Sequence, residues 1–267
     1  MREPLTPDST LDEERWRANL LRPSRMRLLR RFWGRLPSPP RCKSCTRPFG
    51  GPGGVVMRAV GLGPWAKNSK YCTGCFRVLR RSHGGAEIET SLLFADVRGS
   101  TVLAEQMTPR EFTRLMGRFY DTATEVLVRH DAIVDKFVGD EVIAIFIPGL
   151  AGQAHARRAV DAAGDLLRQT GHGQPGGPWV PVGVGVNTGQ AYVGAIGDGP
   201  DTDMTAMGDV VNTTARLASA AGPGEILVTT SAAASAGLRT EDFPRRSLAL
   251  KGKSQLTDVV VLGVSTD

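Results

Sequence analysis

Between Arg15 and Ala86 the chain has no aspartate or glutamate, yet it carries 17 lysines and arginines there. A stretch so one-sided stands apart from a chain of mixed charge. Residues 1–86 sum to a formal net charge of +13 and residues 87–267 to −7, inside a total of +6. The change of sign places a boundary near His83–Ala86, and 267 residues are enough for one sizeable core with smaller companions. Three parts are expected: a basic amphipathic segment over 1–41, a four-cysteine module over 42–83, and a larger domain over 87–267.

All four cysteines fall in the middle part, as Cys42-x-x-Cys45 and Cys72-x-x-Cys75 with 26 residues between the pairs. Each two-residue spacer lets both sulfurs of a turn reach one ion, so two such turns can close a tetrahedral four-thiolate site. A structural Zn²⁺ in a small zinc-ribbon-like module is expected, with an iron centre or redox-active thiols as alternatives. The glycine-rich stretch between the pairs is too small and polar to fold on a core of its own, so the metal is expected to supply most of the stability.

Upstream, Trp16, Leu20, Leu21, Leu28, Leu29, Phe32 and Trp33 are spread among eight arginines from Arg15 to Arg35. Pro23 interrupts this amphipathic run, and Pro37, Pro39 and Pro40 end it. The favoured expectation is a partly ordered helix packed on its own protein or a partner. Peripheral attachment to an anionic membrane is the second option, and nucleic acid is not expected as a partner. No run of about 18 apolar residues and no cleavable leader pattern occurs, so a cytoplasmic location, with peripheral membrane contact as an addition, is expected.

From Glu87 the pattern alternates between strand and helix. Ser91–Val97 is an apolar strand, and Thr108-Pro109 followed by Glu111 starts an amphipathic helix. Ala132–Val138 and Val142–Ile147 are predicted strands around a tight turn at Gly139-Asp140, and Ala154–Gln169 a helix. Val180–Val186 and Gln190–Ile196 are predicted to form a hairpin around Thr188-Gly189. Asp209–Ala220 follows as a helix, then strands at Ile226–Thr229, near Leu248–Lys251 and at Val259–Leu262. This order gives an α+β sandwich, with helices over one side of a mainly antiparallel sheet.

Three segments carry chemistry: FADVRGST at 94–101, KFVGDE at 136–141 and TAMGDVVNTTAR at 205–216. Asp96 at a strand end and Asp140 in the following turn can bring two carboxylates to one sheet edge, where hard oxygen ligands favour Mg²⁺ or Mn²⁺. Asn212 and Arg216 are four apart on a predicted helix and share a face. Together the segments resemble the catalytic domain of the class III nucleotidyl cyclases, from about Ser91 to Leu262. That family makes cyclic AMP or cyclic GMP from a nucleoside triphosphate.

The resemblance implies a ferredoxin-like core and residue roles. Asp96 and Asp140, with the Val97 backbone as a further ligand, would hold two Mg²⁺ or Mn²⁺ ions per active site. Asn212 would position the ribose and Arg216 would stabilise charge on the α-phosphate. Lys136 and Thr205 match the positions that read the purine, and Lys251 a lysine that reaches the triphosphate. A lysine donor beside a threonine acceptor complements adenine, so ATP is the expected substrate, although a hydroxyl can also donate and does not by itself exclude GTP. In this family each site is built across a dimer interface, and all of these positions occur in one chain, which implies a homodimer. The alternatives are a guanylate cyclase acting on GTP and a non-catalytic nucleotide-sensing protein whose working part is the zinc module. VGDEV at 138–142 also resembles the GGDEF signature of diguanylate cyclases, but Val138 stands where that motif has a glycine, and those enzymes lack a counterpart of GDVVNTTAR.

Overall fold

The computed structural model describes residues 9–22, 26–34, 40–65, 68–81, 84–197 and 201–264. Pro23, Pro37 and Pro39, expected to break and end the basic helix, and His83 at the expected boundary lie outside the described residues.

The basic segment forms α1 (Ser9–Leu21) and α2 (Met26–Gly34), and both pack on the chain's own larger domain. Leu20 is buried with Ile88, Leu92 and Phe94, and Trp16 packs against the same cluster. On α2, Arg30 is buried, and its guanidinium donates to the carbonyls of Lys43, Ser44 and Ala132. Asp131, also buried, accepts from Arg27, Arg31 and Arg158. Much of the positive charge thus meets carbonyls and a carboxylate of the same chain.

The four-cysteine module has more regular structure than its glycine content suggests. Helix α3 (Gly51–Ala59) follows the first cysteine pair, and β1 (Pro64–Trp65) pairs antiparallel with β2 (Asn68–Cys72). Cys75 sits in the first turn of α4 (Thr73–Arg81), so the second pair bridges a strand end and a helix start rather than two equivalent turns. The expectation that this segment lacks a core is corrected. Phe49, Tyr71 and Phe76 are buried around the cysteines together with Ala195 of the larger domain, and Trp65 stacks on Phe76 with ring centroids 5.7 Å apart. Aromatic rings thus supply the buried apolar area that the glycines lack.

The larger domain is built on an eight-stranded sheet of β3 (Gly84–Val97), β4 (Ile133–Val138), β5 (Glu141–Phe146), β6 (Val182–Ile196), β7 (Asp203–Met207), β8 (Glu225–Thr229), β9 (Arg245–Leu248) and β10 (Thr257–Gly263). The order is β4-β5-β3-β6-β8-β10-β9, with β7 also paired to β6, and only the β6–β8 pairing is parallel. Its centre is an antiparallel ladder in which every residue of β3 from Gly84 to Val97 faces one of β6 from Ala195 to Val182. The hairpin expected at Thr188-Gly189 does not form, because β6 runs straight through it. Thr188 is buried, its hydroxyl 2.6 Å from Ser91 Oγ, so it is a core residue and not a solvated turn. Leu248–Lys251 is likewise corrected: the strand ends at Leu248 and Lys251 lies in a turn.

Helices cover both faces of this sheet rather than the one face expected. Leu93, Ala95 and Val97 of β3 point to one core shared with α6 (Pro109–Arg129), which follows the short α5 (Ser100–Gln106), and with α8 (His155–Gln169), which follows the short α7 (Pro148–Ala151). Leu92 and Phe94 point to the other, under α1 and α9 (Asp209–Ala220). The remaining helix, α10 (Thr230–Ser235), contributes Ala232 and Ala233 to the first core. The start of α6 has a full capping box: Thr108 Oγ1 accepts from the Glu111 N–H at 3.3 Å and Glu111 accepts from the Thr108 N–H at 2.9 Å. Glycines on β6 set the seat of α9. A Cβ at Gly185 would lie 2.5 Å from the Ala218 nitrogen, and one at Gly183 would lie 2.7 Å from the Ala221 carbonyl oxygen. No helix among the described residues is long and apolar enough to cross a membrane.

Candidate active site

Asp96, the residue before the end of β3, lies opposite Glu141 of β5 and Gly183 of β6. Gly139, at φ 60, makes the turn between β4 and β5, and the Asp140 carbonyl accepts from the Val97 N–H at 3.2 Å. The two aspartates are thereby brought to one sheet edge, as the sequence predicts. Arg98 contacts Asp96 and donates to the Ser219 carbonyl at 2.9 Å, linking this edge to α9. Burial and the neighbouring Asp140 push the Glu141 carboxyl up to about 7, which marks the edge as crowded with negative charge. Such a set of carboxylates suits hard divalent cations.

Lys136 and Thr205 come from β4 and β7, which are not sheet neighbours, and they converge on Asp135. Thr205 Oγ1 donates to Asp135 Oδ2 at 2.8 Å, and Lys136 Nζ lies 3.6 Å from the same oxygen. The cause is a bulge between Val134 and Lys136, which interrupts the alternation that would send adjacent side chains to opposite faces. From the other side Lys43, in the spacer of the first cysteine pair, reaches Asp135 Oδ1 at 2.8 Å and Asp203 Oδ1 at 2.6 Å. Lys70 and Tyr71 of β2 also donate to Asp203. Burial alone would raise the Asp203 carboxyl, but Lys43, Lys70 and Tyr71 hold it below its usual range. Asp135, Asp203 and Lys43 carry no signal in a sequence read by period; only the adjacency of Asp135 to Lys136 hints at them.

Asn212 and Arg216 share a face of α9, Asn212 exposed and Arg216 half-buried. The Arg216 guanidinium packs against Gly252, where an added Cβ would lie 3.3 Å from Nη2, and Lys253 pairs with Asp209 at the start of the helix. This turn places exposed Lys251 beside the Arg216 end of α9.

The four cysteine sulfurs lie within 4.8 Å of one another, and Cys45 and Cys72 are 3.7 Å apart. Tetrahedral zinc with Zn–S of about 2.3 Å needs S···S of about 3.8 Å, so the group fits such an ion. Backbone N–H groups point at the sulfurs as they would at thiolates: Cys72 N to Cys42 Sγ at 3.3 Å and Cys75 N to Cys72 Sγ at 3.5 Å. Arg47 donates to Cys72 Sγ at 3.6 Å. Hydrogen bonding with Cys45 brings the Cys42 thiol down to about 7, and hydrogen bonds from Cys42, Cys45 and Cys75 lower that of Cys72. All four cysteines are free of disulfides.

The architecture and motifs have counterparts among known proteins. The adenylate cyclase of Anabaena cylindrica is 31% identical over 132 residues, 48% of this chain and 26% of that protein. The chain thus spans about a quarter of the length of that relative. The crystal structure of the guanylyl cyclase Cya2 superposes with a TM-score of 0.59 at 28% identity, covering 68% of this chain and 95% of that one. The adenylyl cyclase CyaB from P. aeruginosa gives a TM-score of 0.56 at 26% identity, covering 68% of this chain and 97% of that one. Residues 86–263, from the second residue after Gly84 to the end of β10, match the model described as the adenylate and guanylate cyclase catalytic domain, and the chain belongs to that family of nucleotidyl cyclases.

Proposed function

We propose that this protein is an adenylate cyclase, turning ATP into 3′,5′-cyclic AMP and pyrophosphate at sites shared by two copies of the chain. The observation that carries the choice of ATP is the meeting of Lys136 and Thr205 on one oxygen of Asp135. It sets a cationic donor beside a hydroxyl, matching the ring nitrogen and exocyclic amine of adenine.

In this reading Asp96 and Asp140, with the Val97 backbone, hold two Mg²⁺ or Mn²⁺ ions. When bound, these would supply Lewis-acid activation of the ribose 3′-hydroxyl and charge neutralisation on the triphosphate. Asn212 orients the ribose so that the 3′-oxygen faces the α-phosphorus in line. Arg216 meets the charge that grows on the α-phosphate oxygens, and its planar fork stays charged throughout. Lys251 approaches the β- and γ-phosphates from the turn after β9. No bond to the protein forms, so positioning and charge stabilisation provide the rate. The four cysteines would hold a structural Zn²⁺, with residues 42–83 as a distinct module between the basic segment, 1–41, and the catalytic domain, 87–267.

A homodimer is favoured by the apolar side chains left exposed beside the base-reading residues: Phe137 and Val138 next to Lys136, and Met207 next to Thr205. Cyclic nucleotide formation from ATP and from GTP, with Mg²⁺ or Mn²⁺, tests the reading. Asp96→Ala and Arg216→Ala proteins are each expected to lose nearly all activity and to regain it when mixed. A mixture that stays inactive would remove the shared-site model, and absence of turnover with either nucleotide would turn the reading to a nucleotide-sensing protein.

A further inference from the structure

A threonine hydroxyl has one proton and two lone pairs, so on its own it tells an amine from a carbonyl poorly. Here that proton is already committed. Thr205 Oγ1 donates to Asp135 Oδ2 at 2.8 Å, while the other oxygen of Asp135 accepts from Lys43 at 2.8 Å. The Lys43 side chain is itself only 5% exposed and is held on its other side by Asp203 at 2.6 Å. Its backbone is fixed as well, since its N–H donates to the Lys70 carbonyl at 2.8 Å and its carbonyl accepts from Arg30.

We propose that Asp135, clamped by Lys43 of the cysteine module, is a specificity-determining positioning residue: it takes the Thr205 proton and leaves that hydroxyl only lone pairs to offer the purine. An acceptor-only hydroxyl pairs with the exocyclic amine of adenine and faces the carbonyl of guanine with no proton to give. Turning the hydroxyl round to greet guanine would break a bond to a carboxylate, of the stronger charge-assisted kind. The inference deepens the adenylate cyclase reading and rests on its assignment of Lys136 and Thr205 to the base. It also gives the four-cysteine module a part in the chemistry, because the residue that orients Asp135 belongs to the Cys42–Cys45 spacer.

The test is binding of 3′-deoxy-ATP and 3′-deoxy-GTP, which lack the attacking hydroxyl, to the full chain in the presence of Mn²⁺, alongside turnover of ATP and GTP. In Asp135→Asn the amide oxygen stays with Lys43, which can only donate, so the amide NH₂ turns to Thr205 and frees the hydroxyl proton for the base. The preference for the adenine analogue is expected to fall by about tenfold or more, partly through tighter binding of the guanine analogue. Thr205→Val is expected to lose the preference too, and Asp135→Asn to have no further effect on it in that background. Should Asp135→Asn fold poorly, Lys43→Met/Asp135→Leu removes both charges and the acceptor of the Thr205 proton together and carries the same expected loss. An equal loss of affinity for both analogues, or an unchanged preference, would overturn the proposal while leaving the cyclase reading intact. Adenine preference with this mutational pattern but no turnover would do the reverse, and a protein that binds neither analogue would sink both.

Discussion

Lys43 and Asp135 stand 92 positions apart and meet at 2.8 Å with both side chains almost wholly buried. An ion pair so placed favours the fold only while its geometry holds, because separating the partners leaves a charge out of water with nothing to answer it. The cysteine module and the catalytic domain are therefore joined at the carboxylate on which Lys136 and Thr205 converge.

Purified protein is expected to carry about one zinc per chain, as a four-thiolate site implies. Cys72→Ser, at the sulfur with the most donors around it, should lower the zinc content and the melting temperature together. Elemental analysis beside thermal melts checks this, and a variant with full stability and no metal would show the site to be dispensable.

Asp131 is expected to be a stability hub. Its φ of 65 is one asparagine adopts readily, so Asp131→Asn changes charge with little backbone strain. Losing the carboxylate that Arg27, Arg31 and Arg158 share should cost about 2–3 kcal/mol, toward the lower end for a broken buried pair because the arginines remain partly hydrated. Urea unfolding of the two proteins measures the difference.

On mild acidification two buried histidines should withdraw stability, opposed by Glu141, whose raised carboxyl takes up its proton first in the folded state. His155 is buried with Nδ1 2.8 Å from Ser91 Oγ, and the buried His172 accepts from the Val182 N–H through Nε2 at 3.0 Å. Burial lowers the pKa of both rings, so the unfolded chain takes up protons first. Their contribution is complete above the unfolded value of about 6.5 and is lost as pH falls below it toward the folded values. Melting temperatures from pH 7.5 to 5 isolate the histidine share by comparison with His172→Gln, which should lower stability at neutral pH by more than at pH 5.

Arg216→Ala is expected to slow turnover by about 10²–10³-fold with a small effect on melting, since the side chain is half-buried against a glycine turn and supports no core. Asn212→Ala, at an exposed position, should act in the same direction. Initial rates and melts together separate a chemical role from a structural one.

Local chemistry that leaves a mark in sequence was legible: the helix start at Thr108–Glu111, the Gly139-Asp140 turn and the helix over Asp209–Ala220 are all where their residues predict. Thr188-Gly189 misled because a small pair inside an apolar run looks like a turn, whereas here it continues a strand with its hydroxyl bonded across the ladder. Asp135 escaped notice since a bulge, and not a period, aims it. The seating of the module was invisible for a different reason: Lys43, Arg30 and Asp203 look like surface charges until the partners that bury them are known.

Arg30 also bears on how the chain is made. Its guanidinium ends against the Ala132 carbonyl, 102 positions downstream. At synthesis rates of about 5–20 residues per second, the helix that carries it waits roughly 5–20 s before its seat exists. The segment that carries α2 thus emerges well before its seat and settles late, and during that interval its arginines and aromatics stand open to whatever the nascent chain meets.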